Sequence, residues 1–347
     1  MARSDNKPEV QHYVPRVLLK NFANGDKDGQ VYAFDKHQGN RLPAKTAIRN
    51  LCGERNFYAA QGPNGQVSIE QALSEVEDQI EPVLQRILNE QSLTKLTVEQ
   101  RELLALFVAV QFVGVPMMRD TQRHIIEAIQ DRSKKLYPHA KSLENFDALR
   151  EKNSIKLGAM KHIAESAVGY TRIISLHRWA LLRTSIENPF WISDCPVVMH
   201  NDRTFGPYGN IGLALPGIQI YMPLSPTLIL AIWEGSLVDD FRNNHEKGQK
   251  ALQQLKAALA VGKVDRLQAQ ALVDQYEVQL PPLAAIVTAF ENGGAVDASY
   301  ENVIFSNSLQ YSWSYRFIMC NSGKFGLAER MSRERPDLKS GLRPRTD

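Results

Sequence analysis

Cysteine is scarce in this 347-residue chain: Cys52, Cys195 and Cys320 are odd in number, far apart and never in a CxxC pair. That excludes a disulfide framework and a cysteine zinc site, and it points to a reducing cytoplasm. The opening residues, MARSDNKPEV, contain no apolar run of the kind a secretory signal needs. The most apolar stretch, LLALFVAVQFVGVPMM (Leu103–Met118), is short for a membrane span and is interrupted by Gln111 and Pro116. It reads as a core helix, and no membrane is expected. HExxH, GxSxG, a Walker A sequence and the protein-kinase set are all missing, so no common motif names a reaction. A strong charge of one sign is missing too, the net charge being +3. Its distribution is uneven: residues 1–60 carry ten Lys/Arg against six Asp/Glu, residues 316–347 carry eight against four, and the middle is net negative. Basic ends around an acidic middle suit either an anion-facing patch or simply solvated termini.

Helical signals dominate the first half. Asn24-Gly25 reads as the end of a short first helix. GQVYAFDKHQGN alternates, with Val31 and Ala33 on one face and Tyr32 and Phe34 on the other, and predicts a strand and a turn at Gln38-Gly39-Asn40. Ser68 with Gln71 reads as a capping box opening a helix whose stripe runs through Leu73, Ile80 and Ile87, kinked or divided at Pro82. Thr97 with Gln100 repeats the signature ahead of the apolar helix, which Pro116 bends or ends. Residues 119–135 form an amphipathic helix broken at Tyr137-Pro138, and a longer helix covers 153–183.

After Asn188-Pro189 the chain turns to strands: PFWIS, PVVM, IQIYMPL and TLILAIW are short apolar runs between turn residues. The glycine-rich interval 202–217 is a long loop, a helical segment occupies about 239–275, and SYRFIMC is a last strand. From Glu329 the basic tail reads as disordered. The expectation is an α+β fold, a helix-rich first half packed with a mostly antiparallel sheet from the second half around a single core, in one domain over 1–328.

The stretch QHYVPR (Gln11–Arg16) is the most suggestive for chemistry. Pro15 suits the first helical position, which leaves Val14 as a cap with no side-chain acceptor. A helix start without its own cap is an anion site, with Arg16 adding charge and Tyr13 a hydroxyl beside it. His12 just outside a positive helix end is kept neutral, as a base or a metal ligand must be. The bland alternative is that a distant carboxylate caps the helix and His12 bonds a carbonyl.

Glu70, Glu77 and Glu81 fall on one side of a helix, with Glu77 nearest the apolar border. Such a row binds a divalent cation, orients a histidine, or is a solvated face. In FWISDCPVVMHND, Asp194 ends a strand, where active sites on rigid scaffolds place carboxylates, and an Asx-turn explains it as well. His200, Asn201 and Asp202 close the next strand with the same ambiguity. GPYGNIG (Gly206–Gly212) resembles a phosphate loop but lacks the Lys-Ser/Thr ending of one. Trp179, Trp191 and Trp313 read as packing residues.

With HYVPR and LLKNF, VYAFDK, NFY (Asn56–Tyr58), IEQALSEVE, LTVEQRELLALFVAVQ, FWISDCPV, MPLSP and the Asn307–YRF segment in this order, the chain resembles the DUF4238 family. That is a group of mainly bacterial proteins whose name records unknown function. The resemblance spans about residues 11 to 319, and HYVP is its most specific block. It implies a single domain and a polar site gathered from distant segments, to which His12, Glu77, Asp194 and Asn307 would contribute. Many relatives have an arginine-threonine-proline step where this chain reads Gly114-Val115-Pro116, so a substrate-binding role of that arginine has no counterpart here.

The functional expectation is a hydrolase acting on a phosphate-bearing substrate, nucleotide or nucleic acid. His12 would be base or metal ligand, Arg16 and Tyr13 would hold substrate, and Glu77, Asp194 or Asn307 would orient His12; a divalent metal is left open. The competing readings are a non-catalytic anion- or nucleotide-binding protein and a purely structural HYVP block. Carboxylates converging on His12 would favour the first.

Overall fold

The computed structural model describes residues 10–23, 29–136, 151–206 and 209–342. The first quarter is a run of short elements: β1 (Val10–His12), α1 (Arg16–Lys20), β2 (Gln30–Asp35), β3 (Asn40–Arg41), β4 (Thr46–Ala47), β5 (Gly53–Arg55), β6 (Ala59–Gly62) and β7 (Gly65–Ser68). Four long helices follow: α2 (Glu70–Glu90), α3 (Val98–Val113), α4 (Pro116–Leu136) and α5 (Lys152–Ser175). Then come β8 (Arg178–Arg183), β9 (Ile192–Ser193), β10 (Val198–His200), β11 (Gln219–Ser225) and β12 (Leu228–Trp233). The chain closes with α6 (Gly235–Ala260), α7 (Arg266–Asn292), β13 (Ala295–Asp297), α8 (Tyr300–Trp313), β14 (Phe317–Cys320) and α9 (Gly326–Glu334).

Two sheets organise these pieces. The larger has strand order β10-β11-β12-β8-β13, antiparallel except for the β13–β8 pair. Every residue of β12 is buried, because helices cover both faces of the sheet's middle, and the strand is accordingly apolar throughout. The smaller sheet, β3-β2-β14-β9 with β4 also on β2, joins the chain's start to its end. The fold is α+β with mostly antiparallel pairing, as the sequence predicts.

Helix α3 is the centre of the main core. Thr97 and Gln100 form the expected reciprocal capping box, and Phe107 and Val108 are fully buried. A helix apolar on all sides has to be enclosed on all sides. Pro116 opens α4 after a bend of 51°. No single helix among the described residues is long and apolar enough to cross a membrane.

The alternation in β2 is resolved in an instructive way. Val31 and Ala33 enter the main core, while Phe34, with Tyr32 at its edge, packs into a second, smaller cluster with Trp191, Tyr311, Ile318 and Phe325. A strand apolar on both faces needs cover on both, and the C-terminal segment supplies it. The tail expected to be disordered from Glu329 is therefore structured over its described part, 329–342: α9 extends to Glu334, and Leu338 is buried in the second cluster; residues 343–347 lie outside the described residues. Leu338→Ala is expected to lower unfolding free energy by about 2–5 kcal/mol, the ordinary cost of truncating a buried leucine. Urea unfolding checks this, and a loss under about 0.5 kcal/mol, the size of an ordinary surface change, would show that the segment contributes nothing.

Other boundaries shift for physical reasons. The long helix read over 153–183 stops at Ser175, and Arg178–Arg183 is instead β8, paired with β12 along its whole length. Ser68 lies in β7 and does not make a capping box: the cap position is Ile69, although the Ser68 hydroxyl accepts from the Glu70 N–H at 3.2 Å. Pro82 neither divides nor ends α2; it and Asp78 are exposed, so the carbonyl that loses its partner faces water. The helical segment read over 239–275 is two helices, α6 and α7, turning at Gly262 and continuing through Pro281-Pro282 to Asn292. Asn24-Gly25 and Tyr137-Pro138 lie outside the described residues, as do Pro207 and Tyr208 within GPYGNIG.

Candidate functional site

The HYVP block is held in place by its backbone. Gln11 and His12 pair with Glu54 and Gly53 in β5, and the Tyr13 N–H donates to the Cys52 carbonyl at 2.9 Å. Pro15, not Val14, occupies the cap position of α1, and no side chain caps that five-residue helix. His12 is half-buried, and its Nε2 lies 3.2 Å from the Arg49 carbonyl oxygen, which matches one half of the bland alternative; the capping carboxylate that alternative also required is not there among the described residues. Burial lowers its pKa, and Arg16 adds to the shift. Arg16 is exposed.

The other expected members lie apart from His12, and no hydrogen bond joins any of them to it. Asp194 is fully buried and accepts from three backbone N–H groups, those of Tyr315 (2.8 Å), Arg316 (2.7 Å) and Phe317 (2.9 Å). Burial pushes its pKa up to about 6, against the pull of those donors and of nearby Lys36. Tyr13 belongs to the same neighbourhood: burial raises its pKa, and Cys52 and Asp194 raise it further. Asn307 fastens α8 to the segment before β9, accepting from the Trp191 N–H at 2.8 Å and donating to the Pro189 carbonyl at 3.1 Å. Gln310 repeats this one turn on, accepting from Ser193 Oγ at 2.7 Å and donating to the Pro196 carbonyl at 3.0 Å. Lys36, buried to the same depth, donates to the Tyr311 and Ser314 carbonyls at the negative end of α8. These bonds latch three distant segments together, and each polar group finds a partner within the latch.

Glu77 stands elsewhere, beside Tyr58, whose hydroxyl donates to the Gly114 carbonyl at 2.7 Å. Burial raises the Glu77 pKa to about 7, with Glu70 and Asp78 adding to the shift. An acid whose folded pKa exceeds its unfolded value loses stability as pH rises through the window between them, here from 4.5 to about 7. Glu77→Gln copies the protonated form, so it is expected to be more stable than the parent above pH 7 by about 1–2 kcal/mol, less than full linkage because the group keeps some water. The difference should vanish below pH 4.5. A constant difference across that range, measured by chemical unfolding, would rule this out.

A roomy, partly open space lies elsewhere again, on one face of the large sheet. It is a cavity of about 820 Å³ between β8, β10–β13 and helices α6, α7 and α8. Register builds its floor: His200 lies opposite Gln219, and Gln219 opposite Trp233, so all three share a face. Trp233 stacks on Phe290 at 4.1 Å between ring centres, and Phe241 and Phe305 complete aromatic walls. Trp233 Nε1 donates to the Tyr221 hydroxyl at 3.1 Å, which donates to Gln219 Oε1 at 2.5 Å. That relay fixes the amide and leaves its N–H groups for another acceptor.

His200 lies at the cavity's rim, with Nε2 2.8 Å from Asp202 Oδ1 and its ring edge-on to Phe305 at 4.9 Å. A carboxylate at Nε2 holds the proton there and leaves Nδ1 as a base. The loop after it is pinned: Asn201 bonds the Pro216 carbonyl and the Arg203 N–H, and Arg203 reaches Ser236 and Asp240. Gly217 is required there, since its φ is +80° and a Cβ would lie 2.8 Å from Arg203 Cδ. Sequence reasoning noted His200 and Asp202 as ambiguous. It missed the aromatic walls, because they come from elements far apart in the chain. Among the described residues no group of three or more His, Cys, Asp and Glu side chains is placed to hold a metal ion.

The fold thus presents a structural latch made of motif residues and a separate aromatic cavity with a histidine–aspartate pair. The chain belongs to DUF4238, described as a protein family of unknown function, whose model matches residues 10–324. Neither a curated protein nor a solved structure gives a match. The structured segment that covers Phe34 ends beyond the matched region.

Proposed function

We propose that the protein is a hydrolase whose small substrate enters the aromatic cavity, with His200 as general base and Asp202 orienting it. The observation that carries this reading is the His200–Asp202 hydrogen bond of 2.8 Å at the rim of the aromatic cavity. His200 Nδ1 takes a proton from the attacking water and returns it to the leaving group. A volume of about 820 Å³ is in the range that holds a nucleotide-sized molecule, and stacked aromatic walls favour a planar head. Within the phosphate-bearing class, a nucleotide placing its base in the cavity and its phosphate outside fits. Asp202 and Asp297 against Arg183 alone leave no surplus positive charge inside for a phosphoryl group. That charge balance favours the second reading, a nucleotide-binding protein without catalysis. A cytoplasmic setting accords with three buried free thiols.

A thermal-shift screen of bases, nucleosides and nucleotides tests the reading. The expected result is a rise in melting temperature that Ala285→Trp, a substitution at an exposed position on the cavity wall, abolishes. Hydrolysis of the ligands found would separate enzyme from binding protein. A rise equally large in Ala285→Trp would place the ligand elsewhere.

A further inference from the structure

Beside the cavity lies a second depression of about 460 Å³, and the two share Arg183, Asp297 and Ala298 in their linings. We propose that cavity and groove form one two-part site for a glycoside: a planar aromatic head in the cavity joined to a neutral sugar in the groove. This rests on the reading of the cavity given above and adds the class of ligand.

The two parts differ in chemistry. The cavity is walled by rings; the groove is lined by residues that carry hydroxyls, Thr184, Ser185, Thr227 and Tyr300, and amides, Gln91 and Asn188, with the Thr184 hydroxyl already donating to the Asn188 carbonyl at 3.0 Å. Hydroxyls and amides both donate and accept, which matches the mixed hydrogen-bonding needs of sugar hydroxyls. Among the described residues the only charges lining the groove are Arg183 and Asp297, and these pair at 2.9 Å, so the groove offers hydrogen bonds without net charge. A phosphate or polyphosphate would meet Asp297 with no free cation among the described lining residues to hold it, and an alkyl chain would leave the groove's polar groups without partners. An aromatic head with a polyhydroxylated tail satisfies both halves. Nucleosides and aryl glycosides share this chemistry.

Calorimetric titration of the full chain with adenine, adenosine, adenosine 5′-monophosphate and phenyl β-D-glucoside tests the proposal. Adenosine is expected to bind at least about tenfold tighter than adenine, and the monophosphate within about threefold of adenosine. Ser185→Trp, at an exposed position in the groove, should reduce adenosine to the affinity of adenine while leaving adenine unchanged. Its melting temperature shows whether the fold is intact. Phenyl glucoside binding as tightly as adenosine would identify aromatic glycosides in general; adenosine binding alone would identify nucleosides. Adenine binding as tightly as adenosine would overturn the two-part site and leave the cavity reading standing. A monophosphate tenfold tighter than adenosine would overturn the neutral tail. No binding by any probe would remove both.

Discussion

Asp194→Ala is expected to destabilise the protein by about 3–6 kcal/mol. The carboxylate is fully buried and accepts hydrogen bonds from the N–H groups of Tyr315, Arg316 and Phe317. Each buried donor left without a partner costs about 1–3 kcal/mol, and alanine supplies no oxygen to replace the one lost. A domain is commonly stable by only about 5–15 kcal/mol, so this single change approaches the whole margin. Asp194→Asn should cost less, since one oxygen remains, while its amide N–H groups face donors. Guanidinium unfolding of the three proteins gives the ranking. A variant as stable as the parent that had lost ligand binding would instead return Asp194 to an active site.

His200→Gln is expected to lower hydrolysis of the cavity ligand by about 10²–10⁴-fold, the usual contribution of a positioned general base. Glutamine keeps a polar group of similar reach but cannot take up a proton near neutral pH. His200 is only half-buried, and it bonds an exposed carboxylate, so stability should change by about 1 kcal/mol or less. Asp202→Asn should lower turnover in the same direction by releasing the ring's tautomer, with a smaller effect. Turnover at saturating substrate separates these from binding losses. Undiminished turnover in His200→Gln would remove His200 as the base, and a parent chain that binds the ligand without turning it over would leave the binding-protein reading in possession of the cavity.

Much of the architecture is legible in the sequence, for reasons that differ by element. Helix α3 announces itself, because a capping box before an unbroken apolar run has one physical solution. The strands from Phe190 to Trp233 are marked by β-branched residues between turns. The region after Ser175 is misread because Ile174 and Leu181, seven residues apart, suit a helical stripe as well as a strand. Pairing with β12, a contact between distant segments, decides it. The tail is misread because it holds few apolar residues, yet the outward Tyr32–Phe34 face of β2 was itself the sign that something must cover it.

The site was harder to see. Motif residues such as Asp194 and Asn307 draw attention as polar groups in apolar surroundings, and their hydrogen bonds show them holding backbone segments together. His12, the strongest single suggestion of the sequence, bonds a carbonyl at the edge of a two-stranded ribbon. The cavity has almost no local signature. Trp233, Phe290 and Phe305 come from three elements, and only the His200-x-Asp202 spacing could have marked its rim.

A crystal structure of the chain soaked with the nucleoside or nucleotide that most raises its melting temperature tests the central claim most directly. The expected result is density for the planar head against Trp233, with a polar atom of the ligand within hydrogen-bond distance of His200 Nδ1. Density at the His12–Arg16 turn, with the aromatic cavity empty, would contradict it.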